Sequence, residues 1–83
     1  MHELQPRNNE PFPLTFASEG QQVKIVLLHG HKGLGMRLAS MGLNIDSRIR
    51  VLQRMGNSLV IMRDEIRLAL GTGIAQKILV IPV

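Results

Sequence analysis

The stretch Gly33-Leu34-Gly35-Met36-Arg37-Leu38-Ala39-Ser40-Met41-Gly42-Leu43 decides how the chain is read. Leu34, Leu38 and Met41 recur at i, i+4 and i+7, which places three apolar side chains on one face of an α-helix. All three are expected to be buried, while Arg37 and Ser40 turn away. Gly42 falls where a helix exit favours a left-handed residue. Taken as C′, it leaves Leu43 at C″ to pack back on Leu38, the Schellman arrangement. The segments on either side read as strand. The sequence therefore describes one short, capped helix set into a small β-protein.

Upstream, Gln22 to His29 is the first strand, with Val23, Ile25 and Leu27 on its apolar face. Gly30 to Gly33 breaks it, and Asn44 to Ser47 turns the chain again after the helix. Arg48 to Met55 forms the second strand, with Ile49, Val51 and Met55 on one face and Arg48, Arg50 and Arg54 on the other. Gly56-Asn57 has glycine first, as a type II′ hairpin requires, and Leu59 to Arg63 returns as the third strand. Asp64-Glu65 makes the next tight turn, after which Ile66, Leu68 and Leu70 point inward along a fourth strand. Thr72 is placed to cap one helical turn through Ile74 to Gln76. Ile78 to Ile81 is the last strand, with Pro82 at an edge position. The fold class is mainly β: about five strands in a small, partly open barrel, one short α-helix after the first strand and a helical turn before the last. Met1 to Pro13, with three prolines, reads as a flexible leader, and residues 14–83 as one domain.

Composition narrows the function. The 83 residues carry ten Lys and Arg against six Asp and Glu, a net charge of +4, which suits a solvated surface or an acidic partner. Cysteine is absent, which excludes disulfides, thiolate metal sites and a cysteine nucleophile. Phe12 and Phe16 are the only aromatic residues. Base-stacking platforms and proline-peptide grooves are built from aromatic side chains, so neither is expected. No apolar run approaches the roughly 18 residues of a membrane helix, and the first residues lack the apolar core of a signal peptide. A cytoplasmic protein without membrane insertion is expected.

Three patterns carry possible chemistry. His29-Gly30-His31 has the i, i+2 spacing that puts two imidazoles on one side of an extended chain; two exposed loop histidines are the simpler explanation. Gly30-His31-Lys32-Gly33-Leu34-Gly35 follows a strand and opens a helix, but it lacks the G-x-x-x-x-G-K-[ST] phosphate loop, and turn formation accounts for it. Arg48, Arg50 and Arg54 form a basic stripe, with Arg37 and Arg63 nearby in sequence pattern. Such a stripe is a solvated face or a docking edge for an acidic partner. No serine sits in a nucleophile elbow and no motif places paired carboxylates, so an enzyme is not expected.

In order and spacing these pieces resemble the ferrous iron transport protein A (FeoA) family. Arg37-Leu38-Ala39-Ser40-Met41-Gly42-Leu43 followed by Ile49-Arg50-Val51 is similar to its R-L-x-x-M-G-L … V-x-V signature. Leu14 through Gly20 to Val23 and Ile25 looks like its opening, and Ile66 to Leu70, Ala75 and Ile78 to Val80 like its tail. The resemblance implies an SH3-like β-barrel and a non-catalytic accessory of ferrous iron uptake. It also implies a partner, the FeoB membrane permease with its cytoplasmic GTP-binding domain. Arg37, Met41, Gly42, Leu43, Arg48 and Arg50 are the expected contact residues, from charge and exposure. The alternative is a metal-binding or metal-sensing module, related to the C-terminal domain of iron-dependent repressors. It would take Fe(II) or another divalent transition metal at His29 and His31; no other cofactor is expected, and no nucleic acid.

Overall fold

The computed structural model describes residues 10–83. Its strands are β1 (Phe12–Pro13), β2 (Gln22–Leu28), β3 (Arg48–Met55), β4 (Ser58–Arg63), β5 (Ile66–Gly71) and β6 (Ile78–Pro82). A 3₁₀ turn (Leu14–Phe16) follows β1, α1 (Lys32–Ala39) lies between β2 and β3, and α2 (Thr72–Ala75) between β5 and β6. The strands form one antiparallel sheet in the order β1-β6-β2-β3-β4-β5. Five of them are those expected. The sixth is β1, in which Phe12 and Pro13 pair with Val80 and Leu79. The sheet thus begins inside the expected leader, because Phe12, 9% exposed, has core to cover; residues 1–9 of that leader lie outside the described residues.

The core is aliphatic apart from Phe12. Leu14, Val23, Ile25, Leu38, Leu43, Ile49, Val51, Leu59, Ile61, Leu70, Ile78 and Val80 are all but fully buried, and no described polar side chain is buried with them. Side chains of this size each contribute about 1.5–3 kcal/mol through burial. Strand alternation supplies them: Ile49 and Val51 from β3, Leu59 and Ile61 from β4, Ile78 and Val80 from β6.

Two β-bulges reset that alternation. The β2–β6 register shifts between Ile25 and Leu27, and the β3–β4 register between Val51 and Gln53. An extra residue bends a strand and flips the parity of all that follows. Leu27, expected inside, is therefore 46% exposed, and Leu28 packs on the core instead. In β3 the same flip puts Arg54 opposite buried Leu59 and leaves Met55 55% exposed. The expected stripe of three arginines reduces to two. Arg54 serves structure instead: its Nη2 donates to the Ala17 carbonyl at 2.7 Å and its backbone N–H to Glu19 Oε2 at 3.0 Å. Ile66 keeps the inward parity of Leu68 and Leu70, but it is the first residue of the edge strand and is 49% exposed.

The turns follow their residues. Met55 pairs with Ser58 across Gly56-Asn57, and Gly56 has φ +59 whereas Asn57 is not left-handed, the φ signature of type II′. Thr72 lies inside α2 and caps nothing; Gly71 holds the N-cap position without a side-chain bond. Pro82 ends β6, which is an interior strand between β1 and β2. Its missing N–H falls beyond Val80, the last β6 residue paired with β1.

The Schellman exit forms as expected. Gly42 has φ +80, its N–H donates to the Ala39 carbonyl at 2.9 Å and the Leu43 N–H to the Leu38 carbonyl at 2.9 Å. Leu34 and Leu38 are buried and Met41 is half-buried, with Leu43 fully enclosed. Replacing Leu43 with Ala should cost about 2–5 kcal/mol in denaturant unfolding. Met36→Ala, on the opposite side of the same helix and 74% exposed, should change stability by less than about 0.5 kcal/mol.

Candidate partner-binding site

The residues singled out from the sequence fall on two neighbouring surfaces. The first is the exit of α1. Arg37 is exposed there, in the last turn of the helix, and among the described residues its guanidinium has no hydrogen bond or ion pair. Ser40 Oγ donates to the Arg37 carbonyl at 2.6 Å. Met41 and Gly42 are half-buried beside it. Leu43 cannot itself meet a partner, because it is fully buried; it anchors the turn that presents the others.

A residue the sequence left peripheral completes this corner. Arg63, at the end of β4, lays its guanidinium over Gly42, so closely that a Cβ on Gly42 would lie 2.6 Å from Arg63 Cζ. Arg63 Nη1 donates to Asp64 Oδ2 at 3.3 Å, and Arg63 Nε is buried without a hydrogen-bond partner among the described residues. Gly42 thus meets two demands at once, a left-handed φ and an absent side chain. Only the second was invisible in the sequence, since Arg63 and Gly42 are far apart along the chain. Asp64 itself is left-handed, with φ 57, at the turn that sets Arg63.

The second surface is the outer face of β2, β3, β4 and β5. Gln22 pairs with Arg50, Arg50 with Met62 and Met62 with Arg67, giving one row across four strands. Beside it Lys24 pairs with Arg48. Like charges set directly opposite are destabilising, and Asp46, 4.0 Å from Lys24, offsets part of that repulsion. Arg48 has no side-chain partner among the described residues, while Arg50 Nη1 donates to the Gly20 carbonyl at 3.2 Å. An open groove of about 430 Å3 runs here, lined by Gln22, Arg48, Ile49, Arg50, Met62 and Asp64. Asp64 therefore touches both surfaces, as the partner of Arg63 and as a wall of the groove.

His29 and His31 are both exposed at the start of α1. Gly30, with φ +123 between them, interrupts the extended chain in which residues i and i+2 would share a side. The His31 ring folds toward Gly33, whose Cβ would meet Cε1 and Nδ1 at 3.0 Å. Among the described residues no three His, Asp or Glu side chains are grouped as a metal site, and no described helix is long and apolar enough to cross a membrane.

A six-stranded SH3-like sheet with one capped helix and a basic outer face defines a class of small β domains. Within it, this chain belongs to the FeoA domain family, whose model matches residues 12–82. It is 36% identical over 69 residues to a protein described as Fe(2+) transport protein A from Methanocaldococcus jannaschii, spanning 83% of this chain and 84% of that one. Its fold is similar to that of a crystallised iron uptake regulatory protein (FeoA), with a TM-score of 0.81 and 27% identity over 89% of this chain and 99% of the other. It also resembles part of a manganese-dependent transcriptional repressor, with a TM-score of 0.82 at 24% identity, covering 95% of this chain but 45% of the repressor. At that identity the likeness is one of fold.

The seat of Arg63 on Gly42 can be measured. Gly42→Ala should cost about 1–2 kcal/mol from the left-handed backbone alone, plus whatever is needed to displace the guanidinium. In an Arg63→Ala background the second contribution vanishes, so the Gly42→Ala cost should shrink in a double-mutant cycle.

Proposed function

We propose that this chain is a non-catalytic accessory of ferrous iron uptake. It acts in the cytoplasm by docking on the FeoB-type membrane permease through that protein's GTP-binding domain. Family membership supports the pathway. The contact is supported chiefly by Arg37. This arginine belongs to the family-like signature, yet it is exposed and, among the described residues, its side chain has no hydrogen bond or ion pair. A residue held in a signature without a task inside the fold is available for a task outside it. Arginine is well suited to one, since its five N–H donors bind carboxylates bidentately.

On this reading the docking surface joins Arg37, Met41 and Gly42 at the helix exit to Arg48 and Arg50 on the neighbouring sheet face. The chain has no nucleotide loop of its own, so its effect on GTP hydrolysis or on assembly of the transporter is exerted by contact. Chemical-shift mapping of the labelled protein with the permease's GTP-binding domain tests this. Perturbations are expected at Arg37 and Met41, with Arg37→Ala weakening binding about tenfold, or ~1.4 kcal/mol. No perturbation at high micromolar concentration would overturn the reading.

A further inference from the structure

The groove on the outer sheet face is more specific than a basic patch. We infer that it is a carboxylate-binding site: an acidic side chain from a protein partner enters between Arg48 and Arg50, its methylenes against Met62. The partner's identity rests on the docking reading above; the chemistry of the groove does not.

Four observations lead there. Among the described residues Arg48 is an exposed guanidinium without a partner, and Arg50 uses one N–H on the Gly20 carbonyl, which leaves four of its five donors free there. Lys24 stands opposite Arg48, and although Asp46 lies 4.0 Å from Lys24, the second cation beside Arg48 adds to the positive field at that end of the groove. Arg67 extends the positive field through the Gln22, Arg50, Met62, Arg67 row and steers an anion toward it. The groove itself is a concave space of about 430 Å3 with Met62 as an apolar lining residue, room for one or two side chains rather than an extended polymer.

The same features choose among anions. Nucleic acid would be bound by stacking as well as charge, and neither of the two aromatic residues lines this groove. A phosphate-rich membrane surface would meet the Asp64 carboxylate, which lines the groove and is only partly offset by Arg63 Nη1 at 3.3 Å. A single acidic side chain avoids Asp64 by docking on the arginine side, and its neighbouring peptide N–H groups can donate to Asp64. Asp64 therefore acts as a filter against dense negative charge.

Two titrations test the inference on the whole chain. In the first, an end-blocked peptide carrying one glutamate among alanines and glycines is added at millimolar concentration to the labelled protein and the Arg Nε–Hε signals are followed. Arg48 and Arg50 are expected to shift, and the response should fade as salt rises about tenfold and charges are screened. Inorganic phosphate and phosphatidylglycerol vesicles serve as competitors. Shifts produced by vesicles and not by the peptide would overturn the inference in favour of a lipid surface, and no shift with any anion would overturn it outright. In the second, Arg48→Glu/Arg50→Glu is compared with wild type for binding the permease's GTP-binding domain. The double variant is expected to bind at least about tenfold more weakly, chiefly through a slower association rate, whereas Lys77→Gln, away from the groove, binds as wild type. Both arginines are exposed, so the variant should fold, and Arg48→Gln/Arg50→Gln gives the same test without charge reversal. Equal binding by wild type and variant overturns the groove and leaves the docking reading standing. Failure of the wild type to bind the domain removes the docking reading, and the groove is then decided by the peptide alone.

Discussion

The left-handed turn at Gly42 fixes more of this molecule than any other backbone position. Its φ of +80 lets the Leu43 N–H reach the Leu38 carbonyl, which drives Leu43 into the core directly after the helix ends. That sets where the chain leaves α1, and hence where β3 begins with Arg48. Because Gly42 has no side chain, Arg63 can close over it from β4, and Asp64 follows in the next turn with its carboxylate toward both Arg63 and the groove. Helix exit, sheet end and groove wall are thus held by one glycine.

Most of the architecture was legible in the sequence because it depends on local periodicity and turn chemistry. Gly56-Asn57, Gly42-Leu43 and the alternations of β4 and β6 specify their own conformations. What escaped was the parity of β2 and β3 beyond their bulges. Nothing in Val26 or Leu52 announces an extra residue, since bulges arise from the curvature needed to wrap a small sheet around its core. That is why Leu27 and Met55 face solvent and Arg54 does not belong to the basic stripe. Phe12 reads as part of a leader because prolines stand on both sides of it, whereas its pairing with Val80 turns its side chain onto the core.

The candidate site shows the same division. Arg37, Arg48 and Arg50 were legible as exposed cations from their positions on a helix and a strand. Their separation onto two surfaces, and the joining of those surfaces through Arg63 and Asp64, depends on contacts between residues distant in sequence. Charge pattern identifies candidates; only the register of β2, β3 and β4 shows which cations lie side by side.

The pairing of β2 with β6 bears on how the molecule comes to be folded. Ile25 and Val80 are neighbours in the sheet although most of the chain separates them. β3, β4 and β5, by contrast, are joined by two-residue turns. Local hairpins close rapidly, whereas a contact across most of the chain carries a large loop-closure cost. The meander of β3, β4 and β5 is therefore the natural nucleus, and β2 must wait with its apolar edge unpaired until β6 has been synthesised. During that interval Val23, Ile25 and Leu27 form the segment most exposed to misassociation. The lysine between the first two, Lys24, places a charge where an edge strand most needs one.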